Sequence, residues 1–184
     1  LEFPVELFAA AEKYNLLFAL EKLCREKALI NAKSILNGSK IFININPCVV
    51  FDPEFKDGAT KKIISDLGIN QNDIVIELAE KSSIQDFRSF RIALEHYQDQ
   101  GFNIAIDDTG AGYSGLQTIV SLKYKYIKID RSLIENIDKD IVKRALLEVF
   151  IKFSKKISAI VIAEGIETAG ELETIIDLDR KSVV

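Results

Sequence analysis

The chain has 184 residues, 48% of them hydrophobic, which is enough material for one domain with a sizeable buried core. Its net charge of -4 and isoelectric point near 5.2 disfavour binding to polymeric nucleic acid or to an anionic membrane, because both require a basic surface. No apolar run approaches the roughly 18 residues of a membrane-spanning helix, so we expect no membrane insertion. The chain contains no methionine, even at position 1, and we therefore expect a piece of a longer protein.

Two isolated cysteines, Cys24 and Cys48, show no spacing that is typical of a metal site. We expect them to be buried, reduced thiols, which predicts a cytoplasmic protein.

Two helices are predicted at the start of the chain, the first opened by Pro4 and the second carried by residues 18–32. Beyond them, five short apolar runs rich in β-branched residues predict buried parallel strands. The five runs are 40–45, 74–78, 102–106, 126–129 and 159–163.

Amphipathic stretches between the last strands predict helices. One predicted buried face consists of Phe87, Phe90, Leu94 and Tyr97, before a stop at Gly101. Another consists of Ile141, Ala145, Val149 and Phe153. Asp86 and Asp138 are the predicted N-caps of these two helices. Consecutive βα units without a Pro- or Gly-rich linker indicate one α/β domain, either a barrel or an open doubly wound sheet.

Nearly every predicted strand ends in a polar side chain that interrupts the apolar run. These polar residues are Asn44, Glu77, Asp107 with Asp108, Lys128 with Asp130, and Glu164. A single such acid is most simply explained as the N-cap of the next helix. In a βα barrel, however, the carboxyl ends of all strands open onto one face, so polar residues on five strands predict a common site.

Carboxylates and a carboxamide without Cys or His are oxygen ligands that suit Mg²⁺ or Mn²⁺ better than zinc. With Asp107 placed to bridge, two such ions could activate water for an in-line displacement at phosphorus, which indicates phosphodiester hydrolysis. Lys128 is the one lysine within a predicted strand that has only apolar neighbours in the sequence. The glycine-rich stretch 109–113 is compatible with a phosphate contact and equally with a flexible turn.

Five motifs, in this order along the chain, resemble the EAL domain of cyclic di-GMP phosphodiesterases. They are Asn44-Ile-Asn-Pro, Glu77-Leu-Ala-Glu, Asp107-Asp-Thr-Gly-Ala-Gly-Tyr-Ser, Lys128-Ile-Asp and Ala163-Glu-Gly-Ile-Glu-Thr. The resemblance implies a modified TIM-like (β/α)8 barrel that hydrolyses cyclic di-GMP to linear pGpG with two Mg²⁺ or Mn²⁺ ions. It also implies a metal-ligand set, which consists of Asn44, Glu77, Asp107, Asp108 and Glu164.

The resemblance implies further roles. Lys128 would hold the attacking water beside Asp130, and Glu164 would serve as ligand or general base. Glu80 is similar to the residue that anchors the glycine-rich loop, whose backbone depends on Gly110 and Gly112, and Glu167 is similar to a supporting carboxylate.

The chain departs from the family pattern at its ends and in the loop. The Glu-Ala-Leu tripeptide of the first strand and the Gln-Gly segment near the last are absent, so we expect a single domain over residues 1–184, incomplete at both ends. Such a chain would lack the first and last barrel strands. Thr109 and Ala111 stand where Phe and Thr are common.

Three functions remain open at this point: a cyclic di-GMP phosphodiesterase, a catalytically inactive cyclic di-GMP receptor, and an unrelated metal-dependent lyase or aldolase. The expected partners are cyclic di-GMP, a second copy contacting through residues 109–121, and sensory or GGDEF-type domains in the parent protein.

Overall fold

The structure is a computed structural model of the chain that describes residues 4–34, 36, 38–51, 58–79, 87–109 and 124–181. Among these residues, no helix has both the length and the apolar character needed to cross a bilayer. They form two compact units. The first unit contains the described residues up to Glu77 together with Phe87–Asn103, and the second contains the others.

The first unit packs helices against a pair of parallel strands. Its elements are α1 (Pro4–Lys13), α2 (Leu17–Ala32), β1 (Ile41–Asn44), a 3-10 turn (Pro47–Phe51), α3 (Ala59–Leu67), a second 3-10 turn (Gln71–Asp73), β2 (Ile74–Ala79) and α4 (Phe87–Asp99). Strand β1 pairs with β2 in parallel, from Ile41 opposite Ile74 to Asn44 opposite Glu77. The core of the unit includes the buried side chains of Leu29, Ile74 and Phe90.

The second unit contains three parallel strands in the order β3, β4, β5. Its elements are β3 (Asn103–Thr109), β4 (Tyr126–Ile129), α5 (Arg131–Ile134), α6 (Ile141–Lys156), β5 (Ile160–Ala163) and α7 (Ala169–Lys181). Ile127 of β4 lies opposite Ile106 of β3 on one side and Val161 of β5 on the other. Parallel strands with apolar residues on both faces require helical cover, and α6 packs against β5.

The predicted strands and first helices are confirmed. Every predicted apolar run contains one strand, and each strand begins within one residue of its predicted start. The two initial helices also form as expected. Helix α4 buries three of the four side chains of its predicted face, whereas Phe87, at its first residue, is 40% exposed.

The predicted face of α6 is wrong. Ile141 and Val149 are 76% and 57% exposed, and Ala145 is also exposed. The helix buries a different face, which consists of Leu147, Phe150, Ile151 and Ser154. Both faces carry apolar residues at helical spacing, so periodicity alone could not decide between them.

The predicted N-cap of α6 is also wrong. The cap is Asp140, whose carboxylate accepts hydrogen bonds from the N–H groups of Val142 (2.8 Å) and Lys143 (3.1 Å). Asp138 lies two residues too early for that geometry. The predicted cap Asp86 lies outside the described residues.

The prediction of buried thiols is wrong as well, because Cys24 and Cys48 are both exposed and neither forms a disulfide.

Candidate active site

The end of β3 is irregular in a way that brings two consecutive carboxylates together. Ile106 pairs with Ile127 and Thr109 pairs with Ile129, so β3 has one residue more than β4 over this interval, which is a β-bulge. Asp108 has a φ of +57°, in the left-handed region. Successive side chains of a regular strand point to opposite faces. The bulge removes that alternation, and Asp107 and Asp108 both direct an oxygen into one cluster with Glu164.

Lys128 of β4 lies between carboxylates from the two flanking strands. Its ammonium Nζ is 2.9 Å from Oδ1 of Asp107 and 2.7 Å from Oε1 of Glu164. The Lys128 and Asp107 side chains are only 12% and 13% exposed, so their ion pair is largely removed from solvent screening, whereas the Glu164 side chain is 35% exposed. The central lysine therefore holds the ends of three adjacent strands at fixed separations.

Three carboxylates share this small volume. One oxygen each of Asp107, Asp108 and Glu164 lies within 4.8 Å of the others. The pKa of Asp108 is raised, first by burial and then by the negative charges of Asp107, Asp130 and Glu164, against the smaller opposing effect of Lys128. A divalent cation would relieve this repulsion, and the donor set consists of the hard oxygen ligands that Mg²⁺ and Mn²⁺ prefer. The described residues of this cluster therefore fit the predicted metal type.

Asp130 follows β4 and caps the short helix α5. Its Oδ1 accepts the N–H of Ser132 at 2.8 Å, and hydrogen bonding by Ser132 lowers the pKa of Asp130. The Asp130 N–H in turn donates to the carbonyl of Thr109 at 3.1 Å, which continues the ladder past the strand end. Asp130 therefore caps α5 and also places a negative charge at the edge of the cluster.

Glu164 leaves β5 at the start of a tightly packed loop. Its N–H donates to the carbonyl of Ile129 at 3.1 Å. Gly165 follows with a φ of +66°, and a Cβ atom there would lie 2.7 Å from the Cγ of Arg131, so no other residue fits without displacement. Arg131 forms an ion pair with Glu167 at 2.8 Å. Glu167 therefore supports the loop through Arg131.

In the first unit, two further predicted site residues lie side by side. Asn44 is the exposed last residue of β1, and Glu77 lies opposite it on β2. Glu77 is only 3% exposed, and a buried carboxylate requires a cation or hydrogen-bond donors. The N–H of Ile45 donates to the Glu77 carbonyl at 3.0 Å, which fixes the register of the two strand ends.

The remaining predicted site residues, Glu80, Gly110 and Gly112, lie outside the described residues. Sequence reasoning missed Arg131, for which the sequence contains no evident signal, and Glu171, which accepts three backbone N–H groups. Thr168 and Glu171 have the spacing of a helix capping box, so Glu171 could have been found. Sequence reasoning also missed Glu21, whose oxygens accept the Asn46 N–H at 3.2 and 3.3 Å.

Parallel strands that end in a carboxylate cluster around a largely buried lysine define an α/β protein whose cluster could hold a divalent cation. Comparison with known proteins makes this class specific. The sequence profile described as the EAL domain matches residues 2–183. The chain belongs to the EAL domain family, which confirms the resemblance inferred from the five motifs and with it the TIM-like α/β fold.

Individual relatives are similar over almost the whole chain. The chain is 30% identical over 175 residues to the probable cyclic di-GMP phosphodiesterase PdeG of Escherichia coli K12, covering 92% of this chain and 34% of PdeG. It is 28% identical to the cyclic di-GMP phosphodiesterase PdeA of Borreliella burgdorferi, covering 95% of this chain and 26% of PdeA. The chain thus spans only about a quarter to a third of these relatives.

Among solved structures, Klebsiella pneumoniae BlrP1 in a manganese and cyclic di-GMP complex superposes with a TM-score of 0.86. The sequence identity is 28%, and the match covers 95% of this chain and 45% of BlrP1.

Proposed function

We propose that this chain is part of a metal-dependent phosphodiesterase that hydrolyses cyclic di-GMP to linear pGpG. The observation that carries the proposal is the convergence of Asp107, Asp108 and Glu164 around Lys128 in a member of the EAL domain family. The name of PdeA and the manganese and cyclic di-GMP complex of BlrP1 support the same substrate and the same type of cation.

The reaction adds water across one phosphodiester bond. The water oxygen forms a new bond to phosphorus, and the bond to the ribose 3′ oxygen breaks, because pGpG keeps its phosphate on the 5′ side. One water proton is removed and one is delivered to the leaving oxygen. Bound Mg²⁺ or Mn²⁺ would supply Lewis acidity and lower the pKa of water.

The protein's own groups orient the reactants. Asp107, Asp108 and Glu164 would hold the cations, since one carboxylate oxygen of each lies within 4.8 Å of the others. The Lys128 ammonium would donate a hydrogen bond to the attacking water, which orients a lone pair toward phosphorus. Asp130 would act as a supporting carboxylate beside Lys128, and Glu164 would accept the water proton if it does not serve as a ligand.

Several parts of the proposal rest on the family resemblance. Asn44 and Glu77 are proposed as additional metal ligands, Glu80 as the anchor of the loop that contains Gly110 and Gly112, and Glu167 as a supporting carboxylate. A single domain over residues 1–184, a cytoplasmic location and fusion to sensory or GGDEF-type domains are proposed on the same basis.

A homodimer in contact through residues 109–121 is also part of the proposal, although most of that segment lies outside the described residues. Sedimentation of the purified protein at high concentration tests it, and a monomer with full activity would count against it.

The decisive experiment for the function is a pGpG assay on the complete parent protein. We expect pGpG to form with Mg²⁺ or Mn²⁺ and to disappear in excess chelator. Hydrolysis that persists unchanged in chelator would refute the metal requirement. Binding of cyclic di-GMP without any pGpG would instead identify a catalytically inactive receptor.

A further inference from the structure

Glu171 is a buried carboxylate in the first turn of α7 that the proposed chemistry does not use. Glu171 is only 4% exposed. Its oxygens accept the backbone N–H groups of Asn136 at 2.8 Å and of Glu167 and Thr168 at 3.0 Å each. These hydrogen bonds, that of Asn136 foremost, lower the pKa of Glu171 to about 2. A carboxylate with this environment stays ionised at every physiological pH.

Helix capping accounts for only part of this arrangement. The Glu171 N–H donates to Oγ1 of Thr168 at 3.2 Å while the Glu171 carboxylate accepts the Thr168 N–H, which together form a capping box. The bonds from Glu167 and Asn136 are additional. Asn136 lies 35 residues away in sequence, in the turn after α5. Glu171 therefore joins two separate loops.

Both segments that Glu171 joins lead to residues of the candidate site. The loop from β5 to α7 contains Glu164 and Glu167, and the turn of Asn136 follows helix α5, which begins at Arg131 directly after Asp130. The ion pair of Arg131 and Glu167 connects the start of α5 to this loop. The hydrogen bonds of Glu171 connect the end of α5 to the same loop, so α5 and the loop are connected at two points.

We propose that Glu171 is a positioning residue for the hydrolytic site. It fixes the backbone of residues 165–168 relative to α5, so that Arg131 and Glu167 stay paired and the Glu164 carboxylate stays beside Lys128 at 2.7 Å. The Glu164 backbone is held on the strand side by Ile129, and Glu171 holds the loop on the other side. The inference rests on the proposed function of the cluster.

The test compares Glu171→Ala with Glu171→Gln and Thr168→Ala in the complete parent protein. Glu171→Ala removes both acceptor oxygens and with them all three hydrogen bonds. Glu171→Gln keeps one carbonyl oxygen, which can still accept from Glu167 and Thr168. Thr168→Ala weakens the cap of α7 and leaves the other bonds of Glu171 in place. Exposed Glu173, on the same helix, provides the charge control Glu173→Gln.

We expect Glu171→Ala to lower kcat by about 10-fold or more, the usual effect of removing a group that orients metal ligands, with little change in KM. We expect Glu171→Gln to recover part of the loss. Thr168→Ala should lower Tm but change kcat by no more than about twofold, as should Glu173→Gln. All rates are measured well below every Tm.

Equal loss of kcat in Thr168→Ala and Glu171→Ala would show that Glu171 only stabilises the helix and would overturn the inference. So would a Glu171→Ala variant with normal kcat. If the unsubstituted protein makes no pGpG, the proposed function fails, and Mn²⁺ affinity measured by calorimetry decides instead. We then expect Glu171→Ala to bind Mn²⁺ more weakly than Thr168→Ala does. Equal affinity of the two variants would overturn the inference, as would the absence of binding by any variant.

Discussion

Asp108 adopts a left-handed backbone conformation that is unfavourable for a residue with a side chain, at a cost of about 1–3 kcal/mol. The strained residue lies in the bulge that turns Asp107 and Asp108 toward Lys128 and Glu164. The surrounding strands stabilise a conformation that a free chain would avoid. The strain and the raised pKa of Asp108 occur in the same residue, as is typical of a functional site.

The first prediction concerns Asp107→Asn. This change removes a charge that would hold a cation, so we expect hydrolysis to fall by at least about 100-fold, the upper range for losing even an indirect metal contact. The fold should persist, because Glu164 still pairs with Lys128 and repulsion on Asp108 decreases. Steady-state kinetics and thermal melts check both expectations, with exposed Asp66→Asn as the control. Near-normal kcat in Asp107→Asn would contradict the proposed role.

At the scale of the elements, strand ends and helix starts are fixed by small polar contacts. Asp130 caps α5 and Asp140 caps α6, in both cases through a carboxylate that accepts backbone N–H groups of the first turn. Each cap satisfies donors that have no partner within the helix. The elements that carry the site therefore begin at defined residues.

The second prediction compares Asp140→Ala with Asp138→Ala. Loss of the Asp140 cap should lower the free energy of unfolding by about 1 kcal/mol, because the Val142 and Lys143 N–H groups lose their acceptor. Asp138→Ala should cost less than about 0.5 kcal/mol, since the ion pair of its carboxylate among the described residues is a long one, 3.8 Å to Lys139. Urea denaturation of both variants measures the difference. Equal losses would mean that the hydrogen bonds of Asp140 contribute nothing.

The third prediction concerns Glu21, which joins α2 to the turn after β1 through the Asn46 N–H. Burial raises its pKa from 4.5 to about 7, against the opposing effects of that hydrogen bond and of Arg25. Because the folded-state pKa is the higher one, its stabilising contribution is complete below pH 4.5 and is lost as the pH rises to about 7. The shift corresponds to on the order of 3 kcal/mol.

Glu21→Gln tests this dependence, because glutamine does not titrate. The unfolding free energy of the unsubstituted protein should fall relative to that of Glu21→Gln as the pH rises from 4.5 to 7. Glu26→Gln, on the same helix but partly exposed, should show the same pH dependence of the unfolding free energy as the unsubstituted protein. If the unfolding free energies of Glu21→Gln and the unsubstituted protein change in parallel with pH, burial does not raise the pKa of Glu21.

At the scale of the whole molecule, the chain is acidic, and part of its negative charge lies in the carboxylate cluster. The formal charge is -4, and three carboxylates meet around a single lysine in the second unit. Lys128 stabilises this cluster in the structure, but one positive charge does not neutralise three carboxylates. Binding of a divalent cation should therefore stabilise the folded protein.

The fourth prediction is a rise in Tm with Mg²⁺, Mn²⁺ or Ca²⁺, because a ligand at 100 times its Kd stabilises the folded state by about 2.7 kcal/mol. Ca²⁺ has looser coordination geometry, so it should raise Tm while supporting little turnover. Differential scanning fluorimetry beside the pGpG assay measures both effects. No shift in Tm with any of the three ions would argue against a metal site.

The strands could be predicted because their signal is local. Runs such as Ile74–Leu78 and Tyr126–Ile129 are mostly apolar, and each contains one charged residue near its carboxyl end. The exposed face of α6 could not be predicted, since Ile141 and Val149 have the periodicity of a buried face and only packing selects another. Exposure of Cys24 and Cys48 depends on the same packing.

The sequence by itself determined the parallel α/β class, the family and the chemical type of the site, because strand periodicity and motif order are properties of neighbouring residues. Only the tertiary structure decided the bulge at Asp108, the central position of Lys128 between Asp107 and Glu164, and the double attachment of Asn136 and Glu167 to Glu171. These features join residues up to 57 positions apart in the chain, such as Asp107 and Glu164. Such distances are set by strand pairing and packing, which no local pattern encodes.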